Sequence, residues 1–292
     1  MKKILLILLF FTQNLLASTN NHLTLYFIPS PIGIDWSTPA NLAWSALKNR
    51  LSFQSRFMGH VFIEVQCGDQ RDMAGMASGR FDYINQVVIE GRGLGVLYHS
   101  FVGRIEDPKE IEKEIQELAQ SGERLNFAKF ILNQGQCQRA MTYMKEYREK
   151  NLGKYYGLVN RPLYGEGSGC SAYGASFLEV TGLLDEEIKK FWSNSVRIPV
   201  EFAGPPLRKE KVNILSLMFN AGRWALEKEP HHLLTFWSPD QMYQWVQHKI
   251  EKATQDKTYM VNNLQSAKGV VYDKSHLESP AGPIWKNQTT SK

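Results

Sequence analysis

Tyr155-Tyr-Gly-Leu-Val-Asn-Arg-Pro-Leu-Tyr-Gly-Glu-Gly-Ser-Gly-Cys-Ser-Ala-Tyr-Gly-Ala-Ser-Phe-Leu-Glu-Val-Thr181 joins a glycine-rich turn to an apolar run. Gly165, Gly167 and Gly169 free the backbone for positive φ or a tight bend just before Cys170. Ala172, Ala175, Phe177, Leu178 and Val180 then recur at roughly helical spacing. The pattern predicts that Cys170 starts a helix. Unpaired N–H groups and the positive end of the helix dipole favour a thiolate there, the nucleophilic form of cysteine, and the same N–H groups can hold an oxyanion. The bland alternative is a small apolar residue that opens a helix, as free cysteines commonly do.

A catalytic cysteine needs a base. Phe57-Met-Gly-His-Val-Phe-Ile-Glu-Val-Gln-Cys-Gly68 places His60 at the head of a run of β-formers, Val61, Phe62, Ile63 and Val65, that ends in the turn signal Gly68-Asp69. A Gly-His strand well upstream of a glycine-rich turn and a Cys helix resembles the circularly permuted papain-like hydrolases. That group includes permuted NlpC/P60 proteins and the lecithin:retinol acyltransferase-like enzymes. In it the histidine strand precedes the cysteine, whereas in ordinary papain-like enzymes the cysteine comes first. The resemblance covers about residues 57–180.

It implies an α+β, papain-like fold, an antiparallel sheet packed against helices, here with a helical C-terminal extension. It also implies a Cys170–His60 pair and a polar residue on the following strand that orients the imidazole. That residue is Asp72 if the turn after Gly68 keeps the family's length, although the acyltransferase-like branch usually has His at this place. Glu64 competes, but strand alternation puts it on the face of His60 yet about 13 Å along the strand, so Asp72 ranks ahead.

Lys2 and Lys3 followed by Ile4-Leu-Leu-Ile-Leu-Leu-Phe-Phe11 and the small-residue site Leu15-Leu-Ala17 read as an export signal over residues 1–18, too short to span a bilayer. The expected location is periplasmic or secreted, with no stable transmembrane anchor after cleavage. The signal holds two of the 34 basic residues and none of the 29 acids, which leaves 32 against 29, a net of +3. Those bases are interleaved with acids, so nucleic acid is not an expected partner. Length suits one elaborated domain at residues 19–210 and an extension with an irregular tail at 211–292. Three cysteines in an exported chain leave at least one unpaired. Of the three possible pairings, Cys67–Cys137 leaves Cys170 as the free thiol and is the expected one.

Along the chain, His22–Ile28 reads as a strand stopped by Pro29 and Pro31, and Leu42 to Leu47 as a helix after the Ser37-Thr38 cap. Arg71–Ala77 reads as the return arm of a hairpin. Gly91-Arg-Gly-Leu-Gly95 reads as a turn before a strand at Val96–Val102, where His99 is a reserve base should His60 fail. Asp107-Pro-Lys-Glu110 caps a helix, and further helices are expected over about 136–150, 185–192, 212–225 and 239–253.

No HExxH, Walker or GxSxG motif is present, and His231, His232 and His248 lack an acid or cysteine at ligand spacing, so neither a metal nor a cofactor is expected. The sequence therefore points to a cysteine hydrolase, thiol-protease-like, in which His60 takes the Cys170 proton and the thiolate attacks a carbonyl. The resemblance allows peptidoglycan-type amides or lipid acyl esters as the cell-envelope substrate. The competing class is a non-enzymatic envelope-binding protein whose groove is lined by Tyr155, Tyr156, Tyr164 and Tyr173.

Overall fold

The computed structural model describes residues 20–52, 56–79, 85–253 and 260–287; the export segment expected at 1–18 lies outside the described residues. In chain order the elements are β1 (His22–Ile28), α1 (Pro39–Leu51), β2 (His60–Cys67), β3 (Gln70–Ser78), β4 (Phe101–Ile105), α2 (Pro108–Ser121), β5 (Asn126–Ile131), α3 (Gln134–Glu149), β6 (Tyr155–Tyr156), α4 (Cys170–Thr181), α5 (Glu186–Trp192), β7 (Ser193–Pro199), α6 (Ile214–Asn220), β8 (His231–Trp237), α7 (Pro239–Lys252), β9 (Met260–Leu264) and β10 (Ala267–Asp273). Helices begin where local chemistry provides for their free N–H groups. Thr38, Asp107 and Ser238 cap α1, α2 and α7 ahead of a proline, and Asn133 and Gln136 form a reciprocal capping box at α3.

Eight strands form one sheet in the order β6-β4-β3-β2-β1-β5-β10-β9. Every pair in it is antiparallel except β5–β10. The mixed α+β class is thus as expected. β1 lies in the centre and is buried at all seven positions because both faces are covered. Leu23, Leu25, Phe27, Val61, Ile63 and Val65 point to the α3, α4 and α7 side, while Tyr26, Ile28, Phe62 and Met73 meet Ile111, Ile115 and Ala119 of α2 on the other. α4 is buried on nearly all sides, Glu179 excepted, which its apolar composition requires. A second core forms where β7 and β8 pair and α1 and α6 pack on them, with Leu42, Val196, Ile198, Leu217, Leu234 and Phe236 inside. No helix among the described residues is long and apolar enough to cross a membrane.

Three stretches differ from the sequence expectation. The strand expected at Val96–Val102 is a short 3-10 turn, Leu94–Tyr98, with the strand starting only at Phe101. The backbone just before it is already bonded elsewhere: Gly204 N–H donates to Arg92 O, Val212 N–H to Gly91 O, and Gly93 bridges Ala203. The helix expected over 212–225 shrinks to α6, because Ala225 N–H joins the edge of β7 at Arg197 O and the Trp224 indole donates to Trp36 O. The tail expected to be irregular supplies β9 and β10, and β10 lies parallel to β5 with Gly269 against the Phe127 ring, where a Cβ would collide. Residues on both sides of position 210 therefore share both ladders, β10 in the large sheet and β8 beside β7.

Candidate active site

The glycine-rich loop is stitched to β6 before it delivers Cys170. Gly167 sits at φ +80 against the Tyr155 backbone, where any Cβ would overlap the Tyr155 carbonyl, and Ser168 N–H donates to that carbonyl at 3.0 Å. Gly169 is the N-cap of α4 and has no side chain to occupy the first N–H groups. Cys170 thus opens the helix with no capping side chain on its first N–H groups, at the positive end of the helix dipole.

β2 brings His60 to the same place. Its Nε2 lies 2.6 Å from Glu106 Oε2, and both side chains are buried. Glu106 follows β4 directly, held by a bond from its N–H to Gly75 O at 3.0 Å. A side chain at Gly75 would overlap the Glu106 carboxylate, so β3 carries glycine where the acid must fit. Arg56 Nη2 bonds Glu106 Oε1 at 2.7 Å and also reaches Glu114, while its guanidinium lies over the Phe62 ring, which meets the His60 ring edge to face. Burial pushes the Glu106 carboxyl up, but His60 and Arg56 outweigh it and hold it down at about 2. Burial disfavours the His60 imidazolium, yet Glu106 and the Cys170 sulfur raise it to about 9.

With Nε2 on Glu106, the ring nitrogen left to face a partner is Nδ1, and His60 and Cys170 line the same cavity and act on each other electrostatically. Burial raises the Cys170 thiol, while His60, Ser171 and Tyr156 bring it down to about 7. The two shifts run in opposite directions for one reason: the charged form of each group favours the charged form of the other. Tyr156 Oη donates to Cys170 Sγ at 3.9 Å, and Ser171 Oγ lies 3.8 Å from it. The Tyr156 phenol is held well above its ordinary value by burial first and the sulfur second, so it stays a donor, and the Cys170 backbone N–H acts on the same hydroxyl. A cavity of about 500 Å³ lies over the pair, between the two cores. Its walls are mainly apolar, with Trp36, Leu94, Leu97, Phe101, Leu158 and Phe236 among them.

Of the residues singled out from sequence, Cys170 and His60 meet and Asp72 stands apart. Asp72 pairs with Val65 in the ladder, about 17 Å along the strand from His60, and its carboxylate is bonded to Arg148 of α3. Register puts it there: the hairpin turns at Gly68-Asp69, so the first residues of β3 face the far end of β2. Glu64 accepts from Tyr26 at 2.9 Å and from Arg71, also away from His60. His99 lines the cavity but lies 3.0 Å from an Arg92 nitrogen, and burial and that arginine lower its proton affinity. Glu106 is the residue that sequence reasoning missed; Ile105-Glu-Asp-Pro108 signals a helix start, and nothing local distinguishes a buried acid there from a solvated one. Of the four tyrosines considered for a groove, Tyr156 lines the cavity, whereas Tyr173 is packed in the core on Tyr143, Tyr147 and Phe177. Cys67 and Cys137 form the expected disulfide, Cα to Cα 5.7 Å, and Cys170 is free. Among the described residues no group of three or more His, Cys, Asp or Glu is placed to hold a metal.

Compared with known proteins, the chain matches no family model, no curated protein and no solved structure.

Proposed function

We propose that the protein is an exported cysteine hydrolase or acyltransferase, akin to the circularly permuted papain-like enzymes that its His strand and Cys helix resemble, acting on an amide or ester of cell-envelope material. The observation that carries this reading is the series of buried Cys170, His60 and Glu106, backed by half-buried Arg56, at a mainly apolar cavity. Each member acts on the next: Arg56 holds Glu106, Glu106 holds the imidazole, and the imidazolium stabilises the thiolate.

The thiolate attacks the substrate carbonyl carbon, forming a C–S bond and moving the carbonyl electron pair to oxygen. The N–H groups at the start of α4 and the Tyr156 hydroxyl, which already donates to the sulfur, are the groups that would hold that oxygen. Collapse breaks the bond to the leaving amine or alcohol, which takes the proton from His60. Water then gives up a proton to His60 and releases the acid, restoring the thiol; an acceptor alcohol or amine in place of water makes the same step an acyl transfer. The Cys67–Cys137 disulfide supports a periplasmic or secreted location, since such bonds persist in oxidising compartments.

The test combines thiol labelling with turnover. Iodoacetamide should modify Cys170 in the folded protein faster than a cysteine peptide at pH 7, and a panel of peptidoglycan peptides and acyl lipids should contain a bond that the wild type cleaves and Cys170→Ser does not. An inert Cys170 together with a silent panel would favour a non-enzymatic envelope-binding protein.

A further inference from the structure

The wall of the cavity and the surface outside it are two sides of the same helices. Leu42, Ala43 and Ala46 of α1 and Leu217 of α6 line the cavity. The outer side of the pair is apolar too, with Phe219 69 %, Leu215 60 % and Leu51 59 % exposed and Trp44 and Ile32 alongside. Trp44 and Phe219 meet edge to face with ring centroids 5.8 Å apart, and the Trp44 indole donates to Met218 O at 3.2 Å, so α1 and α6 present these rings as one unit. Ile32 is tied to the same unit by its N–H bond to Asn49 Oδ1 at 3.1 Å.

Charge narrows the choice of occupant. α1 carries Lys48 and Arg50 and no acid, and α6 carries no charged residue. Trp44, Lys48 and Leu51 recur at i, i+4 and i+7, so aromatic, basic and aliphatic groups share one exposed stripe. Aromatic rings at the boundary, apolar side chains beyond it and basic groups that reach back to anionic headgroups form the pattern of a helix lying in a membrane interface. A protein partner would account for the outer side alone. A bilayer supplies matter for both.

We propose that the α1–α6 face docks on a lipid bilayer and that the cavity takes an acyl chain drawn from it, which makes the acyl group of a membrane lipid the substrate class. The docking stands without the cysteine reading; the acyl chain as substrate rests on it. The cavity volume of about 500 Å³ falls in the range of pockets that enclose a whole small ligand.

The experiment separates the two parts. Full-length Cys170→Ser protein, unable to turn substrate over, is sedimented with vesicles of phosphatidylethanolamine and phosphatidylglycerol. It should partition onto them; Leu215→Asp with Phe219→Asp should weaken that at least about tenfold by removing buried apolar area. Lys48→Glu should weaken binding to these vesicles and not to uncharged ones, and Met260→Asp, on the exposed β9 edge, should leave it unchanged. No partition overturns the docking. So does partition that survives the Leu215 and Phe219 changes, which would place the contact elsewhere, such as the apolar stretch Ile4–Phe11. A dimer in sedimentation velocity that Phe219→Asp dissolves would overturn it in favour of a second copy of the chain. In the other arm, mass spectrometry follows acylation of wild-type Cys170 by p-nitrophenyl esters, whose rate should climb up to about fourfold per added methylene until the cavity is full. Acylation independent of chain length overturns the acyl-chain assignment and leaves the cysteine mechanism standing. No acylation by any ester overturns the mechanism, and with it that assignment, while the sedimentation result on docking still stands.

Discussion

Two groupings of the same three residue types flank strand β2, each built on a buried histidine and a buried acid, with Arg56 half-buried in one and Arg71 exposed in the other. At one end His60, Glu106 and Arg56 are joined; further along, Glu64 binds His22 and Arg71. Both acids are buried and both are held down to about 2, burial opposing and the bonded partners prevailing. The difference lies in what the imidazole has left to do. The second nitrogen of His22 lies 3.2 Å from Asn20 Oδ1, and Glu64 also takes the Tyr26 hydroxyl. His60 has its second nitrogen free of any such partner among the described residues and lines a cavity together with Cys170, on which it acts electrostatically. A buried His–carboxylate pair with an arginine on the acid is thus a structural device in itself. It becomes chemical equipment only where a nucleophile and room for a substrate are added.

The largest effects should break the two groupings apart. Cys170→Ser and His60→Ala should each lower kcat/KM by about 10⁴-fold or more, because nucleophile and base act as one unit. His22→Ala, assayed under conditions where it is folded, should leave kcat/KM unchanged. An equal loss in His22→Ala would mean that the two networks are coupled and that the comparison fails.

Next in size, Glu106→Gln should reduce kcat/KM by about 10²-fold, since an orienting and charge-balancing group assists the base without replacing it. Glu64→Gln should leave kinetics alone and lower the urea-unfolding free energy by about 1–3 kcal/mol, the cost of weakening bonds to a buried acid. If both variants merely lose stability, Glu106 has no special part in the reaction.

The pH profile sharpens the same contrast. The active pair needs a thiolate, present above about pH 7, and an imidazolium, present below about pH 9, so kcat/KM should rise through the first value and fall through the second. Glu106 stabilises the imidazolium, so Glu106→Gln should move the alkaline limb to lower pH and narrow the bell. An alkaline limb that stays in place would show that the sulfur alone holds the proton on His60.

The smallest effect concerns Asp72. Its partly exposed ion pair with Arg148 should contribute less than about 1 kcal/mol, so Asp72→Asn should slightly lower the denaturation midpoint without changing kcat/KM. A large kinetic loss in that variant would return the orienting role to Asp72.

The chain by itself determined much that is local. Thr38, Asp107 and Ser238, each ahead of a proline, and Asn133, paired with Gln136 in a capping box, mark helix starts because the capping oxygen and the free N–H groups lie within a few residues of one another. The same holds for Cys170 after the glycine loop and for His60 at the head of its strand. The cysteine pairing was legible once Cys170, at the start of its helix, was read as the free thiol of the three. What only the tertiary structure decided is which acid faces His60, where the tail goes and what lies above the sulfur. Glu106 wins over Asp72 because ladder register and the space left at Gly75 bring the end of β4 beside the start of β2. β10 reaches β5 across most of the chain, and the cavity exists only because two cores, each assembled from distant segments, fail to close over Cys170. Caps and turns are set by sterics within a few residues; register, burial and voids are set by the sum of packing across the whole fold, which no short stretch records.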